Sequence, residues 1–185
     1  IFTNVFVPFN TPESSQSTLF RPHSNFLTSL SQLCNMPVTI DINEQFGLVL
    51  AVASSSFLVN AMHMLTTSRF RKASGVPYPQ SYASEEEAAK NKAAFKFNCA
   101  QRAHANFTEN HTSFLGALLI SGLRFPLVSA GLGAAWVFGR VVYLLGYTSD
   151  KGPKGRTSGS LFASPADLAL RLMAIYTGVQ FALGQ

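Results

Sequence analysis

From Gln45 to Ser68 the chain reads QFGLVLAVASSSFLVNAMHMLTTS, 24 residues without a charge between Glu44 and Arg69. At about 1.5 Å per residue, a helix of that length crosses the roughly 30 Å hydrocarbon core of a bilayer. The run lacks the period-2 alternation of a strand, and in lipid an isolated strand would leave its backbone groups unpaired. The feature therefore predicts a membrane-crossing helix, and it restricts the rest of the chain to partners that can share a bilayer with it.

Three further apolar segments follow. The second runs from about Asn98 to Leu123, polar in its first half and apolar in its second. The third begins at Pro126, a favourable first-turn residue, and continues to Tyr147, interrupted only by Arg140. The fourth, about Ser164 to Leu183, holds Asp167 and Arg171 near its start. A soluble four-helix bundle needs a charged outer face along each helix, which the first and fourth segments lack. Composition agrees: 47% of residues are hydrophobic and 12% charged, about half the charged share of a soluble domain. The predicted fold class is an all-α, integral membrane four-helix bundle protomer, with spans at about 45–68, 98–123, 126–147 and 164–183.

The net charge of +5 is not arranged as a nucleic-acid face, because the basic residues do not interleave with stacking aromatics. They gather in the connections instead. Arg69, Arg71, Lys72, Lys90, Lys92 and Lys96 lie between the first two segments, and Lys151, Lys154 and Arg156 between the last two. The short middle turn carries Arg124. Nine basic residues against one place the two basic connections in the cytosol by the positive-inside rule. Residues 1–35 differ from the rest: Ser, Thr, Asn and Pro are common, helical periodicity is poor, and Met36 opens a stretch that resembles a natural start. They are expected to be a disordered or non-native leader, with the domain proper at 36–185. The two cysteines, Cys34 and Cys99, cannot make a disulfide framework, and no metal site is indicated. The sequons at Asn106 and Asn110 fall inside the second span and are attributed to chance.

The polar half of the second segment, FNCAQRAHANFTENH, is the part a bilayer tolerates least. Arg102, Asn106 and Glu109 fall at i, i+4 and i+7 of a helix and share one face, with His104 to the side. Ionisable groups at membrane depth pair with each other or line a polar site. Two readings fit the spacing: a clamp between helices, or a pocket for a zwitterion, with arginine for a carboxylate and glutamate for an ammonium. On the third segment Arg140, Tyr143 and Tyr147 share a second face. Arg156 follows in the glycine-rich DKGPKGRTSGS, and a guanidinium of this kind stabilises a nearby thiolate.

FNCAQRAHANFTE followed by GLGAAWVFGRVVYLLGYTSDKGPKGRTSGSL resembles the superfamily of membrane-associated proteins in eicosanoid and glutathione metabolism. Within it the similarity is greatest to the type 3 microsomal glutathione S-transferase branch, and the upstream RFRKASGVPYP fits the same group. The resemblance covers about residues 44–163, and the fourth segment by length and hydropathy only. It implies a homotrimer that binds glutathione as co-substrate between neighbouring subunits, near the cytosolic face. By position, Arg71, Arg102, His104, Asn106, Glu109, Tyr143 and Tyr147 would bind glutathione, and Arg156 with Tyr147 would be catalytic. Lys72 stands where a relative has a second arginine, keeping the charge but losing the planar fork. Asn110 stands where the leukotriene synthase of the superfamily has a tyrosine, which weakens an assignment to that narrow activity.

The implied activity is conjugation of glutathione to apolar electrophiles and glutathione-dependent reduction of lipid hydroperoxides. It would take place in the endoplasmic reticulum membrane or the outer mitochondrial membrane, without a metal and without nucleic acid. Two other classes share the pattern: a non-catalytic lipid- or glutathione-binding scaffold, and a small transporter subunit.

Overall fold

A computed structural model describes residues 44–184, all of them in the second of the two units into which the chain divides, Asp41–Gln185. The expected leader at 1–35 and Cys34 lie outside the described residues. Among the described residues the regular structure is entirely helical.

Helix α1 spans Phe46–Ser74 and ends at Gly75, whose φ of 74° lets its N–H return to the Arg71 carbonyl at 3.1 Å. Glycine is the residue that takes this left-handed cap without a Cβ penalty. At 29 residues the helix is about 43 Å long, so its last turns, with Arg71 and Lys72, extend past a ~30 Å hydrocarbon core. A narrow stripe of Val49, Ala53, Ser56, His63 and Thr67 is buried. Leu48, Leu50, Phe57, Leu58, Met64 and Leu65 lie at the surface. Large apolar side chains outward and small or polar ones inward is the pattern of a helix whose surroundings are themselves apolar.

The connection after α1 folds back onto the next long helix. Asn98 grips Ala83 with both ends of its amide, accepting from the Ala83 N–H at 2.8 Å and donating to its carbonyl at 3.0 Å. Val76, Ala83, Ala94 and Phe97 pack beneath. Short helix α2, Glu85–Lys90, starts at Ser84, whose hydroxyl accepts the Glu87 N–H. Helix α3 spans Lys92–Gly122, capped by the Asn91 side chain, and α4 spans Pro126–Thr148. A 3-10 turn, Gly152–Arg156, leads straight into α5, Thr157–Ala182.

Helix α5 thus begins seven residues before the expected start at Ser164. Pro165 lies inside it, where a sequence reading favours a helix start instead. The ring removes one backbone donor, and packed membrane helices tolerate that loss. Helices α1 and α4 are long and apolar enough to cross a membrane, whereas α3 and α5 fall short of the same measure because polar residues dilute them.

The four long helices meet on a core drawn from all of them. Phe114 of α3 stacks on Trp136 of α4 with ring centroids 3.7 Å apart, and Val49, Leu118, Ala163 and Leu170 fill the space around them. Glycines set the closest approach. A Cβ on Gly139 would meet the Ala163 backbone nitrogen at 2.8 Å, and Gly159 faces the backbone of Tyr143 and Gly139. Gly146 and Gly155 lie backbone against backbone, closer than any side chain allows. The 3-10 turn is therefore pressed onto the end of α4.

Candidate functional site

That contact fixes Arg156. Its guanidinium lies 6.0 Å from the ring of Tyr147, and the Tyr147 and Tyr143 rings are 5.6 Å apart. Tyr143 and Arg156 open into a cavity of about 480 Å³ between α3, α4 and α5. Asn106 and Asn110 enter from α3, Arg140 from α4, and Ser160, Ser164, Asp167 and Arg171 from α5. Three arginines against one aspartate make the lining strongly electropositive.

Arg140 organises the centre. It is 7% exposed, donates from Nη1 to Asn106 Oδ1 at 2.7 Å and lies 4.7 Å over the Trp136 ring. A buried guanidinium needs partners of this kind, because desolvating it alone is expensive. The Asn106 amide is thereby oriented by a charge on another helix. On α5 the Arg171 Nη2 donates to Asp167 Oδ2 at 2.6 Å, one turn apart.

The residues singled out from sequence are not all gathered here. Asn106, Tyr143 and Arg156 line the cavity. Arg102 and Glu109 bond to each other instead, Nη1 to Oε1 at 2.9 Å, with both side chains about half exposed. Tyr147 borders a second, mainly apolar cavity of about 430 Å³, lined also by Phe95, Cys99 and Pro153. His104 faces the buried His63 of α1, ring to ring at 6.3 Å. Arg71 donates to the Gln80 carbonyl at 2.7 Å and stacks on Tyr78 and Phe97, and with Lys72 it lines a separate pocket of about 280 Å³. Asn98, on the polar face by spacing, serves as the loop grip described above.

Asn110, Arg140, Ser160, Ser164, Asp167 and Arg171 were not among the predicted site residues. Arg140 had a signal, since it shares a helical face with both tyrosines. The α5 residues had one as well, but starting the helix at Ser164 hid the spacing from Arg156 onward.

At the end of the bundle where α3 begins and α4 ends, Lys92 and Lys96 both reach Asp150 at 3.1 Å. Hydrogen bonds from Lys96 and Lys92 hold the Asp150 carboxyl below its ordinary range. Among the described residues no group of three or more His, Cys, Asp or Glu is placed to hold a metal ion.

An electropositive cavity between long apolar helices suits an anionic ligand presented at a membrane. The MAPEG family model matches residues 49–176, which takes in most of α1, the polar face of α3, both tyrosines, Arg156 and most of α5, and the chain belongs to the MAPEG family.

Proposed function

We propose that the protein is an integral membrane glutathione transferase that also reduces lipid hydroperoxides. The supporting observation is the cavity that joins Asn106, Tyr143 and Arg156 under an excess of arginine. Glutathione as thiolate carries two carboxylates and a thiolate against one ammonium. Its charge complements three arginines against one aspartate.

Bound glutathione loses its thiol proton to solvent, and Arg156 stabilises the thiolate from the end of the 3-10 turn. With a chloronitrobenzene acceptor, sulfur bonds to the ring carbon and chloride leaves. With a lipid hydroperoxide, sulfur attacks the terminal oxygen, the O–O bond breaks and the lipid departs as its alcohol. The resulting sulfenic acid condenses with a second glutathione, giving the disulfide and water. Tyr143 lines the polar cavity and Tyr147 the apolar one, their rings 5.6 Å apart on the α4 face beside Arg156. The acceptor enters from the bilayer.

The functional unit is a homotrimer of four-helix protomers in the endoplasmic reticulum membrane, with the site facing the cytosol. In this reading Arg71, Arg102, His104 and Glu109, which lie away from the cavity in the single chain, act at the subunit boundary. There the Arg102–Glu109 pair exchanges partners for the carboxylate and ammonium of glutathione. Lys72 sits beside Arg71 as a further cation.

The test is turnover by the purified protein with glutathione, using chlorodinitrobenzene and a fatty-acid hydroperoxide as acceptors, alongside Arg156→Ala. The variant is expected to keep glutathione binding and lose at least about 100-fold in rate, as when one oxyanion donor is removed. Equal rates in wild type and variant would refute the enzyme reading.

A further inference from the structure

The second cavity differs in chemistry from the first. It lies between α2, the start of α3, the end of α4 and the 3-10 turn, with a volume of about 430 Å³. Small-molecule sites occupy about 300–1,000 Å³ and are mostly apolar, with a few polar groups. The walls fit that description: Ala88, Ala89, Phe95, Cys99, Tyr147 and Pro153 are apolar or aromatic. Gly152, at φ 55°, seats the turn on the Phe95 ring, which a Cβ there would meet at 3.2 Å. Asn98 also borders the cavity, but both ends of its amide are taken by Ala83. Glu85 is the one charged side chain among the described residues that line it.

Such walls select by charge and by ring chemistry. An anionic ligand meets Glu85 as a like charge, whereas the first cavity offers it three arginines. An electron-poor ring complements Tyr147 and Phe95, whose π faces carry partial negative charge. The opening is distinct as well. Glu85, Glu86, Lys90, Lys92 and Asp150 are all exposed around this end of the bundle, so it faces water rather than hydrocarbon. The cavity nevertheless adjoins the Arg156 end of the first. Pro153 and Arg156 share one 3-10 turn, and the Arg156 guanidinium is 6.0 Å from the Tyr147 ring.

We propose that this cavity binds compact, uncharged, electron-poor aromatic electrophiles, as an acceptor site separate from the bilayer route of lipid hydroperoxides. This rests on the transferase reading of the first cavity. The thiol proton has gone to solvent, and glutathione sulfur bonds to the ring carbon that carries chlorine. The ring and its nitro groups hold the displaced π pair, and chloride leaves as that pair returns. A fatty-acid hydroperoxide, long and anionic, is excluded from this cavity and meets the same sulfur from the lipid side.

The test uses the full chain purified in detergent at saturating glutathione. Ala89→Trp fills the cavity from α2, a short helix with no buried residues, so Tm should not change. The KM for chlorodinitrobenzene is expected to rise about tenfold, the low end of what altered contacts in an apolar pocket cost, while fatty-acid hydroperoxide reduction keeps its rate. Two measurements require no such variant. Dinitrobenzene, which has no chloride to lose, should compete with chlorodinitrobenzene and leave hydroperoxide reduction unaffected. Relative to their uncatalysed rates, the methyl ester of chlorodinitrobenzoate should be favoured over the free acid. Glu85→Gln should narrow that preference by about twofold to fivefold, the worth of one exposed charge.

Calorimetric binding of dinitrobenzene, without glutathione, separates this inference from the enzyme reading. Binding that weakens about tenfold in Ala89→Trp, with no turnover of either acceptor by the wild type, sustains the site and sinks the transferase. Inhibition of both acceptors alike by dinitrobenzene, equal loss of both activities in Ala89→Trp, or dinitrobenzene binding unchanged by that substitution overturns the separate site.

Discussion

Gly146→Ala tests whether backbone contact between α4 and the 3-10 turn sets the position of Arg156. A Cβ at Gly146 would fall on the Gly155 carbonyl, well inside contact distance, and the obstructing atoms are backbone on both sides. No side chain can rotate away, so the turn must withdraw by about 1 Å to regain ordinary carbon contact. Overpacking of this kind destabilises by about 1–3 kcal/mol. Arg156 ends the turn next to Gly155 and would move with it.

In the role proposed for Arg156, a shift of that size is enough for a loss of about 100-fold in rate. Gly146→Ala is therefore expected to lower Tm by a few degrees and kcat with chlorodinitrobenzene by one to two orders of magnitude, with glutathione affinity falling much less. Gly116→Ala supplies the control, since a Cβ there meets nothing within 4 Å. In that helix interior alanine should be neutral or stabilising, by at most about 1 kcal/mol. The measurements are a detergent thermal melt and steady-state kinetics on the two variants together. A Gly146→Ala protein with wild-type Tm and wild-type kcat would refute the glycine contact as the positioning device.

Arg140→Leu removes the donor that orients Asn106 and should raise the glutathione Kd about tenfold, measured by calorimetry, because a half-buried amide loses a charged partner. Glu109→Gln should change stability by less than about 1 kcal/mol, since its bond to Arg102 is half exposed, and raise the KM for glutathione with little change in kcat. A KM unaffected by Glu109→Gln would remove the carboxylate from ammonium recognition. Asp150 gives a pH dependence whose sign follows from its depressed pKa. Its contribution to stability is complete above the ordinary value of 3.8 and is lost as pH falls through the lower folded value. Melts below pH 4 should therefore show a smaller acid-induced loss in Asp150→Asn than in wild type, and salt should narrow the gap.

The helices were legible because their signals are strong and local. An uncharged run of 24 residues predicts a long apolar helix, which α1 is, and Pro126 marks the start of α4 to the residue. The polar faces were legible as well, since the i, i+4, i+7 spacing of Arg102, Asn106 and Glu109 requires no tertiary knowledge. Which partner each side chain takes was not. Asn106 is bonded by Arg140 from another helix, and Asn98, one turn before Arg102, is taken by a loop. Spacing assigns a face, whereas the partner depends on which helix packs against that face.

Helix α5 shows how one boundary decides the extent of a site. A start at Ser164 leaves Arg156 in a loop and makes Asp167–Arg171 an isolated ion pair. A start at Thr157 places Arg156, Ser160, Ser164, Asp167 and Arg171 on one line. The boundary turns on Pro165, where two principles compete. Proline favours a first turn, yet a packed membrane helix can carry one inside. What favours the longer helix is the seat of its first turn. Gly159 allows α5 to touch the backbone of Gly139 and Tyr143, and Gly155 allows the preceding turn to touch Gly146. Four glycines spread over two segments therefore carry the information that a hydropathy profile misses. They bring Arg156 and the Asp167–Arg171 pair into the same cavity.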